Sequence, residues 1–141
     1  MKSNLLAAIG FAITCIGVAA NAPANAAPST YQNTCRDVNI VENVLEANCL
    51  RRDGSLAYSY IPLVGIDNVD GNLRVTNNSR MSSFQETCGN LSVRGNVLRA
   101  TCRTRNGQWR NTAIALNGID NIDGSLLYTS DIASSYVPLM Y

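Results

Sequence analysis

The 141-residue chain contains no histidine, one lysine and one tryptophan. Without histidine it lacks the usual base that activates a nucleophile, and no serine stands in a G-x-S-x-G setting typical of serine hydrolases. Carboxylate pairs are present, such as Asp67 with Asp70, but both members belong to one tight turn instead of facing each other across a cleft. We therefore predict that the protein is not an enzyme.

A net charge of one sign is also missing. Lys2 lies in a segment that we expect to be removed, and the rest of the chain carries ten Arg against ten Asp plus Glu. Proteins that bind nucleic acids or anionic membranes are usually basic. The charge balance therefore predicts a neutral partner and no nucleic acid.

The longest apolar run extends from residue 5 to residue 20 and is followed by an A-x-A site at residues 24–26. These features predict a cleaved secretory signal at residues 1–26 and a secreted protein, extracellular or, in a bacterium, periplasmic. A membrane span is the competing interpretation, but Thr14 and Gly17 interrupt the run, which is shorter than the about 20 apolar residues that a spanning helix needs. We expect no membrane insertion after cleavage.

The rest of the chain consists of two copies of one sequence repeat. A shift of 53 residues aligns the two copies without a gap, so that Cys35 falls on Cys88 and Cys49 on Cys102. We predict one domain at 27–128, with repeats at about 31–80 and 84–128 and a tail at 129–141, which either packs back on the domain or stays mobile. Two similar halves predict two similar binding sites.

The sequence has five cysteines, of which Cys15 lies in the segment that we expect to be removed. The four that remain in a small exported chain predict two disulfides, with three connectivities to choose from. Each repeat has one pair spaced by 14, so the simplest arrangement joins Cys35 to Cys49 and Cys88 to Cys102. A loop of about 15 residues contributes about 3 kcal/mol when closed. Zinc would need C-x₂₋₄-C pairs, which the sequence lacks, so we predict no metal and no cofactor.

Within each copy the pattern is strand and turn. Residues 44–49 alternate apolar and polar, a D-G turn follows at Asp53-Gly54, and residues 56–61 form a second run, which together predict a β-hairpin. The second copy repeats it at 97–102 and 109–114, and short strands are expected at 72–75 and 125–128. Apart from one helical turn near residues 62–65, the predicted fold class is all-β.

The aromatic residues of these strands are predicted to pack inward. Tyr58 and Tyr60 alternate with small residues, which suggests that they have one face on the core. Trp109 begins a strand, and we favour a packing role for it over an exposed, ligand-stacking one.

A polar segment at residues 76–83 joins the copies and could act as a hinge, so both a monomer and a domain-swapped dimer are compatible with the sequence. Asn77 and Asn90 begin N-x-S sequons, which matter only in a eukaryotic host.

The double copy, the cysteine spacing, the Thr-Cys openings at Thr34 and Thr87, and the I-D-N-x-D-G segments together resemble the cyanovirin-N family of carbohydrate-binding proteins. The resemblance covers Tyr31 to Tyr128. It implies a pseudo-symmetric fold of β-hairpins and short three-stranded sheets, in which each half contains strands from both repeats. It also implies metal-free pockets near each end for terminal α1,2-linked mannose, with high-mannose oligosaccharides or glycoproteins as partners.

Matching positions with the family assigns residues to each pocket. The main pocket would contain Asp67, Asn68, Asp70, Ser82, Ser83, Glu86, Thr87, Arg103, Thr104 and Arg105. The second pocket would contain Thr30, Asn33, Thr34, Leu50, Arg51, Arg52, Asn121, Ile122 and Asp123. Leu50 and Arg52 depart from the polar residues that the family often has, so we expect the second pocket to be weaker. In the main pocket, Gly107 stands where a glutamine can occur.

The residue types of the main pocket suit a neutral polyol, because carboxylate and amide oxygens accept hydrogen bonds from hydroxyls and Arg and Asn donate them. The alternative is that Asn68 and Asp70 only form turns and that Thr87 only satisfies the backbone. The protein would then be a secreted, disulfide-stabilised interaction or structural module with no sugar binding.

Overall fold

The computed structural model describes residues 27–76 and 80–129. The predicted signal segment, the Asn77 sequon and nearly all of the C-terminal tail lie outside these ranges.

The described residues form ten strands and two single-turn 3₁₀ helices, which confirms the all-β class. The strands are β1 (Cys35–Val41), β2 (Val44–Leu50), β3 (Leu56–Pro62), β4 (Ile66–Val69), β5 (Asn72–Val75), β6 (Cys88–Arg94), β7 (Val97–Arg103), β8 (Trp109–Ala115), β9 (Ile119–Ile122) and β10 (Ser125–Tyr128). The 3₁₀ helices are Tyr31–Asn33 and Phe84–Glu86. Both predicted hairpins are present, as are the short strands at 72–75 and 125–128.

The helical turn expected near residues 62–65 is wrong. The backbone there bonds to distant segments: Leu63 N donates to Asn43 O at 2.7 Å and Gly65 N to Arg80 O at 2.7 Å. Val64 forms an isolated antiparallel bridge with Met81. These long-range partners use the donors that local helical bonds would need.

Strands β1–β2–β3 form one antiparallel sheet, and β6–β7–β8 form its counterpart in the second repeat. Hairpins β4–β5 and β9–β10 complete the structure. Cys35 lies directly opposite Cys49, and Cys88 directly opposite Cys102, at the end of each first strand pair. Both predicted disulfides are formed, Cys35–Cys49 and Cys88–Cys102.

Each half of the molecule contains strands from both repeats, as the resemblance implied. Hairpin β4–β5 of the first repeat packs through β5 on β8, and hairpin β9–β10 packs through β10 on β3. Two equivalent hydrogen bonds fix this exchange: Leu73 N donates to Thr112 Oγ1 at 3.1 Å and Leu126 N to Ser59 Oγ at 2.9 Å. Any site at the end of a hairpin is therefore built from both copies.

The core is contiguous across the two halves and is built from residues related by the repeat. Tyr31 and Phe84, the first residues of the 3₁₀ helices, are both fully buried, and so are Leu45 and Leu98. The Tyr31 hydroxyl donates to Gly95 O at 2.6 Å, and burial raises the pKa of this phenol. Because one set of apolar residues joins both halves, the hairpin turns sit on a common scaffold.

The packing predicted for the strand aromatics is wrong. Tyr58, Tyr60 and Trp109 are 62%, 63% and 61% exposed. The inward positions of β3 hold the small residues Ala57 and Ser59, against which hairpin β9–β10 packs closely: Leu126 N donates to Ser59 Oγ at 2.9 Å. The larger side chains therefore point outward.

Candidate functional site

A depression of about 380 Å³, lined mostly by polar residues, lies where the β4–β5 turn meets the loop between β7 and β8. Six of the ten residues predicted for the main pocket line it, together with Val69. The six are Asn68, Asp70, Thr87, Arg103, Thr104 and Arg105. The depression thus combines residues of both repeats, as the strand exchange requires.

Asn68 holds the two sides of the depression together. Its Nδ2 donates to Thr87 Oγ1 at 2.9 Å and to Arg103 O at 2.8 Å. Its Oδ1 accepts from Gly71 N at 2.8 Å, which fixes the turn that follows β4. Both Nδ2 protons are thus used within the protein, so the Asn68 amide positions the site.

Asp70 makes the second bridge, because its Oδ1 accepts from Arg105 N at 2.9 Å. Asp70 and Gly71 both have positive φ, 51° and 86°, which gives the tight turn expected of a D-G hairpin. A Cβ on Gly71 would lie 2.8 Å from Thr104 Cγ2. Glycine at this position therefore allows the turn to contact the β7–β8 loop directly.

Asp67, Ser83 and Thr76 form a cluster beside the depression but do not line it. The Asp67 carboxylate accepts from Ser83 N at 3.3 Å and from the hydroxyls of Ser83 and Thr76. Partial burial raises the pKa of Asp67, but these hydrogen bonds outweigh it and hold the pKa below its ordinary value. The cluster anchors the start of β4.

The two other predicted main-pocket residues differ in accessibility. Ser82 is 2% exposed and its Oγ accepts from Ile66 N at 2.9 Å, so its hydroxyl supports the backbone. Glu86 is exposed at the end of a 3₁₀ helix, next to Thr87, and lies outside the lining of the depression.

The lining presents donors and acceptors of both kinds. The Thr87 hydroxyl already accepts from Asn68, so its proton is available to a ligand. A carboxylate has two oxygens, so Asp70 retains acceptor capacity, while the Arg103 and Arg105 guanidinium groups donate. The Arg103 guanidinium lies over the Trp109 ring, 5.9 Å from its centroid. This arrangement can hold vicinal hydroxyls of an uncharged ligand.

The second half repeats the bracing hydrogen bonds. Asn121 Nδ2 donates to Thr34 Oγ1 and to Leu50 O, both at 2.9 Å. Asp123 Oδ1 accepts from Arg52 N at 2.9 Å. The scaffold that supports the main depression is therefore present at both ends.

Asp120 is the counterpart of Asp67, and its carboxylate accepts from Thr30 N at 3.1 Å and from the hydroxyls of Thr30 and Thr129. Partial burial raises the pKa of Asp120, but the hydrogen bonds from Thr129 and Thr30 outweigh it and lower the pKa. Thr30 thus donates hydrogen bonds to the Asp120 carboxylate as Ser83 does to that of Asp67.

The side chains that surround the Asn121 and Asp123 hydrogen bonds differ from those at the main depression. Leu50, 44% exposed, stands where the main site has Arg103, and Arg51 stands where it has Thr104. The Arg51 side chain crosses the turn, with its Cγ 2.8 Å from the position of a Cβ on Gly124, and its Nη1 donates to Ser55 Oγ at 3.2 Å. At the main depression the short Thr104 holds this position, and a different arginine, Arg110, packs against the turn, with its Cβ 3.2 Å from the position of a Cβ on Gly71.

A depression of about 370 Å³ is present in this half, on the other side of Thr34. It is lined by Asn33, Thr34, Cys35, Arg36, Leu50, Gly54 and Leu56. Three of the nine predicted second-pocket residues belong to it, namely Asn33, Thr34 and Leu50. Ile122, another of the nine, is 45% exposed.

Val69 lines the main depression although it was not predicted there. Its counterpart 53 residues later is Ile122, which was assigned to the second pocket. Applying the repeat to the site residues as well as to the strands would have identified it.

Two further properties bear on the site's chemistry. Over the described ranges, no cluster of three or more Cys, Asp or Glu side chains is arranged to hold a metal ion. Among the same residues, no helix is long and apolar enough to span a membrane.

Comparisons with known proteins place these features in a family. The profile of the CVNH domain matches residues 31–128. A microvirin structure solved with mannobiose is 32% identical, with a TM-score of 0.56, and the match covers 71% of this chain and 98% of that one. The structure of TbCVNH, from T. borchii, is 24% identical, with a TM-score of 0.61, and the match covers 71% of this chain and 99% of that one.

A MoCVNH3 variant solved with (N-GlcNAc)₄ is 20% identical, with a TM-score of 0.60, over 71% of this chain and 97% of that one. At this identity the likeness concerns the fold. The profile, by contrast, spans almost the whole described region, and the match to microvirin covers nearly the full length of that chain. The chain therefore belongs to the CVNH family, the homologues of cyanovirin-N.

Proposed function

We propose that this protein is a secreted, metal-free lectin that binds mannose-rich glycans, with terminal α1,2-linked mannose as the preferred unit. The observation that carries the proposal is the braced depression around Asn68. There, Asp70, Thr87, Arg103 and Arg105 surround one concave surface with acceptors and donors for hydroxyl groups.

The sugar assignment is supported by microvirin, whose solved complex contains mannobiose. Of the two ends of this molecule, the main depression is the better candidate, because six of its ten predicted residues, Arg103 among them, line one surface. At the other end, Leu50 removes a guanidinium and Arg51 crosses the turn. We therefore propose one principal site and one weaker or altered site.

A glycan array tests the proposal. High-mannose glycans are expected to bind and chitin oligomers, the ligand class of the MoCVNH3 complex, to bind less. The double variant Glu86→Ala/Arg105→Ala removes a guanidinium that lines the depression and a carboxylate beside it. This variant should lose the high-mannose signal. Retained binding by this variant would contradict the assignment of the site.

The outcome of the array also separates the proposal from the alternative. A correctly folded protein that binds no glycan would favour an interaction or structural module. Binding to chitin oligomers in place of mannose would retain the lectin but overturn the proposed sugar.

A further inference from the structure

The charge balance of the whole chain conceals a separation of charge between its two sheets. Residues 87–119, which contain β6–β7–β8, include five arginines and no Asp or Glu. The equivalent residues 34–66, which contain β1–β2–β3, include four acidic residues and three arginines. One sheet is therefore strongly basic, and the other is slightly acidic.

The outer faces of the sheets, on the side away from the core, differ at matching positions. On the first face, Glu46 lies directly across from Tyr60 in the β2–β3 register. On the second face, Arg99 and Ala113 occupy these same two positions. An acidic and aromatic pair in one repeat is thus a basic and small pair in the other.

The two faces also differ in shape. Tyr58 and Tyr60 project from the first face with ring centroids 6.2 Å apart, and both are more than three-fifths exposed. A hydrogen bond to Glu46 raises the pKa of the Tyr58 hydroxyl and holds that ring beside the carboxylate. Asn111 and Ala113 stand at the corresponding positions of the second face, which has a depression of about 400 Å³ there.

We propose that the first outer face of one molecule docks on the second outer face of another copy. With β2 placed against β7, the two tyrosines enter the depression beside Asn111 and Ala113, and Glu46 comes within reach of Arg99. Because the two surfaces are different, the contact is head-to-tail and leaves one free face on each end of a dimer. Further copies can then add to a chain.

The size of the faces limits the strength of this contact. Three strands about 4.8 Å apart and seven residues long give a face of about 300 Å², against about 800 Å² per partner in a standard stable complex. The association is therefore weak and transient in dilute solution. The contact becomes significant where molecules are crowded. On a glycan surface it would link neighbouring lectins, a role that rests on the proposed function.

Sedimentation velocity of the mature chain without sugar tests the contact. Between about 10 μM and about 1 mM, the weight-average sedimentation coefficient is expected to rise with concentration and to fall when salt is added. Glu46→Arg and Arg99→Glu should each weaken association about tenfold or more, because each places like charges together. Arg110→Glu is the matched control, because it changes charge on the inner side of β8 and should have no such effect.

The charge-swapped variant E46R/R99E restores opposite charges across the contact and should associate about as well as the wild type. An equimolar mixture of E46R and R99E should associate about as well as the wild type, because each face of one variant then meets an oppositely charged face of the other, whereas either variant alone should associate weakly. Tyr58→Asn with Tyr60→Ala uses residues that the second repeat already carries, so this variant should fold but stay monomeric.

A wild-type protein that stays monomeric up to about 1 mM would overturn the proposal, and so would a charge-swapped variant that fails to recover. A domain-swapped dimer would be unaffected by both charge reversals and would also overturn it. If the wild type stays monomeric and mannan shifts the NMR signals of Tyr58 and Tyr60, the face binds glycan instead. These measurements contain no sugar until that last step, so they are independent of the lectin proposal.

Discussion

The Asn68 side chain donates to the Thr87 hydroxyl at 2.9 Å and thereby joins strand β4 of the first repeat to the entrance of β6 in the second. Fifty-three residues later, Asn121 makes the same bond to Thr34 at the same distance. The repeat has thus preserved the bracing of both ends. The ends differ in the side chains carried by that brace.

This equivalence provides a matched pair of variants. Asn68→Ala and Asn121→Ala should each lower the free energy of unfolding by about 1–3 kcal/mol, because each leaves backbone and hydroxyl partners unsatisfied. Only Asn68→Ala should also weaken mannobiose binding at the main depression. Chemical denaturation measures the first effect and calorimetric titration the second; equal losses of binding in both variants would contradict the assignment.

The second end should be convertible into a copy of the first. Leu50→Arg with Arg51→Thr restores a guanidinium and replaces the long side chain beside Gly124 with the short one found beside Gly71, so we expect a gain of mannobiose binding at that end. The reciprocal variant, Arg103→Leu with Thr104→Arg, should lose binding at the main depression. Per-residue NMR titration distinguishes the ends, and an unchanged second end in the first variant would argue against the proposed cause of its weakness.

Close approach at Gly71 predicts a large cost for a small substitution. Gly71→Ala adds a Cβ 2.8 Å from Thr104 Cγ2 and also strains a φ of 86°. Gly107→Ala is the control, because its φ of 83° is similar but its added Cβ would have no neighbour within 4 Å. Strain alone should cost about 1–2 kcal/mol, and the clash about 1–3 kcal/mol more. Equal unfolding free energies for the two variants would show that the contact has no energetic role.

The hydrogen-bonded carboxylates predict how stability depends on pH. The pKa values of Asp67 and Asp120 are lower in the folded state than the unfolded value of about 3.9. Their contribution is therefore fully present above about pH 4 and is lost as the pH falls through the lower, folded pKa values. Denaturation curves between about pH 7 and pH 2 should show Asp67→Asn with Asp120→Asn losing less stability with acid than the wild type. A parallel decline would contradict this account.

The sequence was sufficient to predict six of the ten strands, the turns and the disulfides, because these depend on local patterns that occur twice, whereas β1, β4, β6 and β9 were not predicted. D-G turns and alternating residues determine the hairpins, and one cysteine pair per copy gives the simplest pairing. The exchange of hairpins between halves came only from the family resemblance, because neither copy contains a local signal for the sheet on which its own hairpin packs.

The exposure of the aromatic residues could not be predicted from alternation, which defines two faces of a strand without saying which one is buried. Ala57 and Ser59 point inward because the β9–β10 hairpin lies against them, and Ser59 Oγ accepts from Leu126 N at 2.9 Å. Tyr58 and Tyr60 are consequently on the outer face. Such a contact between segments 67 residues apart is visible only in the folded structure.

The predicted site residues show the same difference between what a local motif determines and what packing determines. Asn68 and Asp70 were predicted from a motif and do line the depression, because the motif includes the turn itself. Ser82 matched the family by position, yet its hydroxyl is bonded to Ile66 N beneath the surface. Matching positions identify the segment that forms a site, while the depth of each side chain depends on packing.

An NMR titration of the isotopically labelled protein with α1,2-mannobiose tests the central claim most directly. We predict that the amide signals of Asn68, Asp70 and Thr87, together with those of residues 103–105, shift and saturate together at lower sugar concentration than any signals around Asn121. Shifts that are absent from this group, or that appear only on another surface, would contradict the claim that the braced depression is the sugar site.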